Sequence, residues 1–270
     1  MNKQIVRIVS NLFPKLITSF AYKKLTNPQV RKLRQNERIT LEKATKEKII
    51  FKNFEIQLYT WQGGKKEVLL VHGWEGQAGN FSDLIEALLK NGYTVHAFDG
   101  PSHGFSSKGQ TSLFEFTELV AVLIRKYQVK LLISHSFGGV ATTFGLYNNK
   151  DLKINKYIMI TTPDKFIERI DDVVESVGIG KNVKDLLIQK LQKETGLEVK
   201  RLNVSEFVKS INVKKALIIH DINDKVIPIT RSRNVHNNWS ISQFQEVEGT
   251  GHFRILRTKE VSEIVMNFLE

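Results

Sequence analysis

The feature that most constrains the fold is a regular alternation of short apolar runs with segments of helical period, which begins at about residue 49. Residues 68–71, Val-Leu-Leu-Val, form a continuous apolar run of the kind that is buried on both faces of a parallel sheet. Residues 113–127 instead carry apolar side chains at helical spacing. On these criteria we predict strands at residues 49–51, 55–61, 68–71, 93–98, 130–134, 157–161, 216–220 and 244–247, and helices at 80–89, 113–127, from 137 onward and 252–269.

Strands that alternate with helices over this length predict an α/β protein, with a mostly parallel central sheet covered by helices on both faces. One stretch departs from the alternation. Residues 164–212 hold no convincing strand, and their apolar positions at helical spacing predict a small helical cap. We therefore expect a basic N-terminal helical arm at residues 1–48, a core formed by residues 49–163 and 213–270, and the cap inserted between the two core segments.

The segment with the most chemical information is residues 131–139, Leu-Leu-Ile-Ser-His-Ser-Phe-Gly-Gly. An apolar strand runs directly into Ser136, and Gly138 and Gly139 follow it. A tight strand-to-helix turn of this kind, a nucleophile elbow, needs small residues two positions before and after the serine. Such a turn holds the serine in a strained backbone conformation and projects its hydroxyl above the sheet.

This segment resembles the elbow of the α/β-hydrolase superfamily, which reads Gly-x-Ser-x-Gly. Ser134 takes the place of the first glycine and is small enough to fit. The sequence is also similar to a bacterial group of α/β-hydrolases with a basic N-terminal extension, through the His-Gly-Trp-Glu-Gly segment at residues 72–76 and the Ala-Phe-Asp-x-Pro-x-His-Gly loop at residues 97–104. The resemblance spans about residues 49–270 and implies a serine hydrolase of the α/β-hydrolase fold.

Two later segments follow strands in the order that this superfamily requires. The segment Ile-Asn-Asp-Lys-Val-Ile-Pro resembles the one that supplies the acid of a catalytic triad, which places the acid at Asp224, with Asp221 as the alternative. The segment Gly-Thr-Gly-His-Phe lies where the superfamily keeps its catalytic histidine, which makes His252 the base. The chain order Ser136, Asp224, His252 is the Ser–Asp–His order of the fold.

The resemblance also implies an oxyanion hole formed by two backbone N–H groups. One belongs to Trp74, after the His-Gly turn that follows an early strand, and the other to Phe137, immediately after the nucleophile. In this interpretation His72 is structural, and His103 shapes a turn without a chemical role. No metal ion or organic cofactor is implied.

Elementary acid–base chemistry assigns the roles within the triad. A serine hydroxyl is a poor nucleophile near neutral pH and needs a base within hydrogen-bond reach. An imidazole can take and return a proton in that range, and the acid would fix its tautomer and stabilise the imidazolium. We therefore predict acyl transfer to water through an acyl-enzyme, most simply from a carboxylic ester of a small or hydrophobic substrate.

Other functions remain open at this point. A thioester or a carbon–carbon bond could be hydrolysed by the same groups, and an acyltransferase would use them with another acceptor. A non-catalytic binding module on the hydrolase scaffold is the rival from a different class. Three side chains beside the site are less specific: we expect His135 and His220 to make structural hydrogen bonds, and Glu75 to face the substrate entrance or to be a surface carboxylate.

The net charge of +12 is concentrated at the N-terminus. Residues 1–52 carry 13 Lys or Arg and 3 Asp or Glu, a net of +10, which leaves +2 for the rest of the chain. Such an arm favours an anionic membrane surface, nucleic acid or an acidic partner, although a solvated face of helices packed on the body has the same pattern. Without a helix-turn-helix, RNA-binding or zinc signature in the sequence, nucleic acid is the weaker alternative.

The apolar positions of residues 1–20 are interrupted by Asn11, Pro14 and Lys15, and no small-residue cleavage site follows them. The segment is therefore a poor signal peptide and too polar to span a bilayer, but it fits a peripheral amphipathic helix. The sequence has no cysteine, which excludes disulfides and a thiol nucleophile. We expect a cytoplasmic protein, with contact between the arm and an anionic membrane as a hypothesis.

Overall fold

The computed structural model of the protein describes residues 3–29, 32–196 and 198–270. Contacts divide the chain into two compact units. The helical unit consists of Met1–Pro28 and Lys165–Asn203, and the sheet unit consists of Gln29–Asp164 and Val204–Glu270.

The sheet unit is built on an eight-stranded sheet. Its strands are β1 (Thr45–Phe51), β2 (Phe54–Trp61), β3 (Lys66–Val71), β4 (Tyr93–Phe98), β5 (Leu131–His135), β6 (Ile154–Ile160), β7 (Val213–Asp221) and β8 (Ser242–Val247). The spatial order is β1-β2-β4-β3-β5-β6-β7-β8. In this order β1 pairs with β2, and β2 with β4, in the antiparallel direction. All the remaining neighbouring strands pair in the parallel direction. The predicted mostly parallel sheet is confirmed, and the apolar run at residues 68–71 is completely buried in it.

Three α-helices of the described residues precede the first strand, and the others lie between or after the strands from β3 onward. In chain order the α-helices are α1 (Lys3–Leu12), α2 (Pro14–Thr26), α3 (Gln35–Glu42), α4 (Ser82–Lys90), α5 (Leu113–Tyr127), α6 (Phe137–Asn148), α7 (Phe166–Val177), α8 (Lys181–Thr195), α9 (Val204–Phe207), α10 (Ile229–Asn237), α11 (Gly251–Arg254) and α12 (Lys259–Leu269). Short 3-10 helices lie at Ala78–Phe81, Val199–Arg201, Val208–Ser210 and Ile255–Arg257.

Local sequence sets the ends of α5, whose predicted bounds are confirmed. At its start the Ser112 hydroxyl accepts from the backbone N–H of Phe114 at 3.3 Å, and the Glu115 carboxylate accepts from the backbone N–H of Ser112 at 2.7 Å. This reciprocal capping satisfies N–H groups that have no partner inside the helix. The helix ends at Tyr127, and the next residue, Gln128, has the left-handed backbone conformation with a φ of 52°.

The main core of the sheet unit lies between the sheet and the helices α4 and α12. Buried apolar side chains from all three elements meet there, among them Leu70, Val95, Ile85, Leu88 and Val265. Burial of this apolar area is the main source of the free energy that stabilises the sheet. The loops at the carboxyl ends of the parallel strands carry the candidate site residues. These loops are therefore anchored to strands that are buried in the core.

In the helical unit, α2 packs against α8. Its core contains Val6, Ala21, Ile170, Val183 and Leu187. The two helices α7 and α8 form where the sequence predicts helices without a strand, and an isolated bridge pairs Lys165 with Asn203. Within the described residues, each helix is too short or too polar to cross a membrane.

The boundaries of the units differ from the predicted positions at residues 48 and 212. Residues after Pro28 belong with the sheet, because α3 packs on the 3-10 helix at Ala78–Phe81 and the Trp61 indole donates to the Thr40 carbonyl at 2.8 Å. The segment after Asn203 also belongs with the sheet, since the Phe207 ring stacks on Phe144 with centroids 5.1 Å apart.

The predicted continuous helix over residues 252–269 is wrong. The segment consists of α11, a 3-10 turn and α12, because Thr258 has an extended backbone with φ of −99° and ψ of 130°. The Thr258 hydroxyl donates to the carbonyls of Arg254 and Ile255 at 3.0 and 3.4 Å, which satisfies acceptors at the end of the first piece. The break separates the short helix that carries His252 from the long helix that packs on the core.

Candidate active site

Ser136 occupies the turn between β5 and α6, as the elbow motif predicts. Its φ of 52° and ψ of −124° are strained values for a residue with a side chain. The turn is held by two backbone bonds, from Ser136 N–H to the Ile160 carbonyl and from Gly139 N–H to the Ser136 carbonyl, each 2.9 Å long. A Cβ at position 138 would lie only 2.4 Å from the Val71 carbonyl oxygen, so glycine is required there.

The structure brings the three predicted triad side chains together. The Ser136 hydroxyl lies 3.0 Å from Nε2 of His252, and Nδ1 of His252 lies 2.8 Å from Oδ2 of Asp224. The imidazole and the carboxylate are buried. Because the carboxylate can only accept, Nδ1 carries the proton and Nε2 is left as the acceptor that faces the serine.

Backbone groups fix the Asp224 carboxylate. Its Oδ1 accepts from the N–H groups of Val226 and Ile227 at 2.7 and 3.0 Å, which leaves Oδ2 for the imidazole of His252. Burial raises the pKa of Asp224, but the hydrogen bonds and the charge of His252, together with the two backbone N–H groups, outweigh burial and leave this pKa below its ordinary value. The carboxylate is therefore ionised at neutral pH.

Asp221, the alternative acid, has a different position. Its Oδ2 accepts from the backbone N–H and the hydroxyl of Thr250 and from Gly251 N–H, and its Oδ1 accepts from Asn223 N–H. Burial raises the pKa of Asp221, and these four bonds lower it below the ordinary value. Asp221 thus holds the loop that presents His252, and Asp224 is the carboxylate in contact with the imidazole.

The neighbouring histidines make the structural hydrogen bonds predicted for them. His135 donates from Nε2 to the backbone carbonyl of His252 at 2.9 Å, and burial lowers its pKa to about 3. His220 bonds the hydroxyl of Ser232 at 2.7 Å and the carbonyl of Ile227 at 2.9 Å, and burial lowers its pKa too. Two neutral imidazoles therefore support the backbone around His252 and the Asp224 loop.

The His-Gly-Trp turn lies against the nucleophile. A Cβ on Gly73 would be 3.1 Å from the Cβ of Ser136, and the turn closes with a 3.0 Å bond from Gly76 N–H to the Gly73 carbonyl. That bond is made by the N–H of Gly76 and not by the N–H of Trp74. Phe137 is the first residue of α6, so its N–H has no acceptor within the helix. Both predicted oxyanion donors are therefore on segments adjacent to Ser136.

A network behind this turn involves a residue to which the sequence gave no role. Asp99 accepts from Ala78 N–H at 2.8 Å on one carboxylate oxygen, and from Phe105 N–H at 2.8 Å and the Tyr59 hydroxyl at 3.0 Å on the other. His72 bonds the Gly73 carbonyl at 2.7 Å and accepts from Gly100 N–H at 2.9 Å. The only sequence signal for Asp99 was its place in the loop at residues 97–104.

His103 and Glu75 complete this side of the site. His103 bonds the Pro101 carbonyl through Nδ1 and accepts from the Glu75 N–H through Nε2 at 3.1 Å, so its role is to shape the loops. Glu75 has a positive φ of 60°, and one carboxylate oxygen accepts from Gln29 N–H at 3.2 Å. Glu75 is half-buried and lines the cavity beside Ser136.

A cavity of about 110 Å³ opens beside the Ser136 hydroxyl. Its wall contains Trp74, His135, His252, Phe253 and Leu256, and five charged residues: Lys32, Arg34, Glu37, Glu75 and Arg257. The Glu37 carboxylate already has hydrogen-bond partners within the protein, since it accepts from Arg34 N–H at 2.7 Å and from the Asn80 amide at 3.2 Å. Three cations, Lys32, Arg34 and Arg257, therefore line the cavity together with apolar side chains.

Comparison with known proteins agrees with the fold. Residues 68–183 match the model of the Alpha/beta hydrolase family. A serine hydrolase-like protein from Homo sapiens is 34% identical over 104 residues, which is 36% of this chain and 49% of that protein. A pimeloyl-(acyl-carrier protein) methyl ester esterase from Xanthomonas campestris is 28% identical over 110 residues, 40% of this chain and 42% of that protein. The matched segment thus spans about half or less of each relative.

The structure of an esterase from Pyrococcus furiosus superposes with a TM-score of 0.66, over 92% of this chain and 97% of that one, at 20% sequence identity. At this identity the likeness shows the fold. A mostly parallel eight-stranded sheet with a serine at a strained strand-to-helix turn is the architecture of the α/β-hydrolase fold. The chain therefore has the α/β-hydrolase fold, and its residues 68–183 match the family model, in agreement with the resemblance.

Proposed function

We propose that the protein is a serine hydrolase that cleaves a carboxylic ester through an acyl-enzyme on Ser136. The observation that carries this proposal is the continuous hydrogen-bonded path from Asp224 through His252 to a serine on a strained elbow. A path with these distances and this burial meets the geometric requirements for an activated nucleophile. The esterase names of two of the similar proteins support an ester as the substrate.

In the first half of the reaction, the Ser136 oxygen would attack the ester carbonyl while its proton passes to Nε2 of His252. The tetrahedral oxyanion would be stabilised by the N–H groups of Trp74 and Phe137. As the carbon–oxygen bond to the alcohol breaks, the imidazolium returns the proton to the leaving alkoxide. Asp224 stabilises the imidazolium and keeps it oriented throughout.

In the second half, His252 would remove a proton from water, and the hydroxide would attack the acyl-enzyme carbonyl. Collapse of the second tetrahedral intermediate expels the Ser136 oxygen, which takes the proton back from the imidazolium. The products are a carboxylic acid, the alcohol and the regenerated enzyme. The small, polar cavity supports a short acyl group, with room for a negatively charged substituent near Arg257 and Lys32.

The test is intact mass spectrometry after incubation with a fluorophosphonate probe, on the full chain and on Ser136→Ala. We expect a single phosphonyl adduct on the wild type and no adduct on the variant, followed by hydrolysis of short p-nitrophenyl esters by the wild type alone. An unmodified wild-type protein would mean that Ser136 is not an activated nucleophile, and the non-catalytic binding module would then be the better proposal.

A further inference from the structure

The first two helices of the helical unit each have two apolar faces. On the inner face, Val6 of α1 and Ala21 and Tyr22 of α2 are buried in the core that also contains Val183 and Leu187 of α8. This inner face satisfies the ordinary requirement that an amphipathic helix pack its apolar side against a partner.

The outer face is also apolar, and solvent covers it. Five large side chains on it, Ile8, Leu12, Phe13, Leu16 and Phe20, are each 54–66% exposed. We refer to these five residues as the apolar stripe. Ile8 and Leu12 are one turn apart on α1, and Leu16 and Phe20 are one turn apart on α2, so each pair lies on one face of its helix.

The concentration of these side chains is unusual for the molecule. The nine other large apolar side chains that are exposed in the described residues are scattered between Ile39 and Phe253. Single exposed apolar residues need no explanation, whereas five within thirteen consecutive residues indicate a surface that meets an apolar partner.

The charges around the apolar stripe indicate which partner. Arg7, Lys15, Lys23 and Lys24 are exposed on the same two helices, and residues 1–36 contain no Asp or Glu. Large apolar side chains between cations, without acidic residues, are the composition of a helix that lies in the interface of an anionic bilayer. An acidic protein partner would match the cations and leave the five apolar side chains unexplained.

We propose that the apolar stripe inserts into the interfacial layer of a membrane that contains anionic lipid. The five side chains enter the boundary between headgroups and acyl chains, and the flanking cations contact lipid phosphates. The helices lie along the surface instead of crossing it, in agreement with their length and polarity. The proposal does not depend on the catalytic activity of Ser136.

Vesicle co-sedimentation of the full chain tests the proposal. Vesicles of phosphatidylcholine with about one third phosphatidylglycerol should bind the wild type at least about tenfold more strongly than pure phosphatidylcholine vesicles, with loss of binding as salt increases. The variant Leu12→Ser/Leu16→Ser/Phe20→Ser should bind at least about tenfold more weakly than the wild type. The matched control Ile50→Ser/Val122→Ser, which changes exposed apolar residues of the sheet unit, should bind like the wild type.

A second measurement keeps the test valid if the triple variant unfolds. Because the sequence has no cysteine, Leu16→Cys can be labelled at one site with an environment-sensitive fluorophore, with Ile50→Cys as the control. Anionic vesicles should shift the emission to the blue at position 16 and leave it unchanged at position 50. Unchanged emission at position 16, or equal vesicle binding by the triple variant, overturns the proposal. So does a wild-type dimer in sedimentation velocity that the triple substitution dissociates, because the stripe would then be covered by a second copy of the chain.

Discussion

The two sides of the candidate site are held in place by different means. On the nucleophile side, the turns after β3 and β5 meet by close backbone approach, since a Cβ at Gly138 would clash with the Val71 carbonyl and one at Gly73 would crowd Ser136. On the acid–base side, the loops after β7 and β8 are positioned by carboxylates, and Asp221 alone accepts four hydrogen bonds. The contact of the His-Gly turn with the elbow depends on the absence of side chains at two glycines, and the acid–base loops depend on particular carboxylates.

The largest effect should come from the pair that joins the two sides. Ser136→Ala and His252→Ala should each lower kcat for an ester by about 10⁶-fold, and the double variant should be no worse, because the two groups act as one unit. Steady-state assays with p-nitrophenyl butyrate would measure this, with thermal unfolding as a control for folding. Independent, multiplying losses would show that the 3.0 Å contact between the two residues is not used in catalysis.

The next effect separates the two carboxylates of the acid–base side. Asp224→Asn should lower kcat by about 10⁴-fold with little change in KM, because an amide favours the wrong imidazole tautomer. Asp221→Asn should cost much less in kcat and lower the thermal midpoint instead, since it loosens the loop at Thr250 and Gly251. If Asp221→Asn damages kcat more than Asp224→Asn, the assignment of the acid is wrong.

A third prediction concerns His135, which reaches from the nucleophile strand to the carbonyl of His252. Burial lowers its pKa to about 3, whereas an unfolded histidine titrates near 6.5, so the unfolded state binds the proton more strongly. The free energy of unfolding should therefore fall as pH decreases from about 6.5 towards 3, and His135 should contribute a slope of ~1.4 kcal/mol per pH unit.

His135→Gln removes this titration and keeps a donor for the carbonyl. Urea unfolding at several pH values between 4.5 and 7.5 (~0.5 unit apart) should show a flatter dependence for the variant by about that slope. Parallel curves for the two proteins would mean that His135 is not held neutral in the folded state.

A smaller effect is expected at the rim of the cavity. Arg257→Gln should lower kcat/KM about tenfold for an ester whose acyl group carries a carboxylate, the equivalent of one partly exposed charge-assisted hydrogen bond. A neutral ester of the same length should be unaffected, as should both substrates with Lys259→Gln, an exposed cation outside the cavity. Equal losses on the charged and neutral esters would show that Arg257 supports the wall and does not recognise charge.

The smallest effect should come from restoring the usual elbow glycine. The Ser134 hydroxyl lies 2.9 Å from the Tyr157 hydroxyl, which donates to the Gly139 carbonyl at 3.2 Å, so the serine takes part in a network below the turn. Ser134→Gly should cost ~1 kcal/mol in the free energy of unfolding from the lost hydrogen bond and leave kcat unchanged. A severe loss of kcat would mean that Ser134 contributes to the geometry of the nucleophile beyond fitting into the turn.

Much of the fold could be predicted because its signals are local. Apolar runs marked the buried strands, and small residues around Ser136 marked the elbow. Helix α10 was missed, since Ile229 and Val235 are its apolar residues and give no helical period. The packing of α3 on the sheet unit could not be predicted either, because it depends on tertiary contacts such as the bond from Trp61 to Thr40. The charge pattern of the sequence does not change where the sheet unit begins.

Some features of the candidate site could also be predicted from the sequence, and others could not. Ser136, Asp224 and His252 follow strands whose carboxyl ends meet at one edge of the sheet, so their approach could be expected from the order of elements. The choice between Asp221 and Asp224 could not be made with certainty from the sequence, since both lie in one loop and only the direction of each carboxylate distinguishes them. The histidine and carboxylate network around Asp99 is likewise a product of tertiary packing.

The two proposed oxyanion donors are backbone groups on residues with large aromatic side chains. The rings of Trp74 and Phe137 contact each other edge to face, with centroids 5.2 Å apart, and Trp74 forms part of the cavity wall. At these positions the main chain would serve the transition state while the side chain shapes the space for substrate. A substitution such as Trp74→Leu could therefore alter which esters are accepted without removing a donor, which makes this pair of residues a natural starting point for changing specificity by design or by selection.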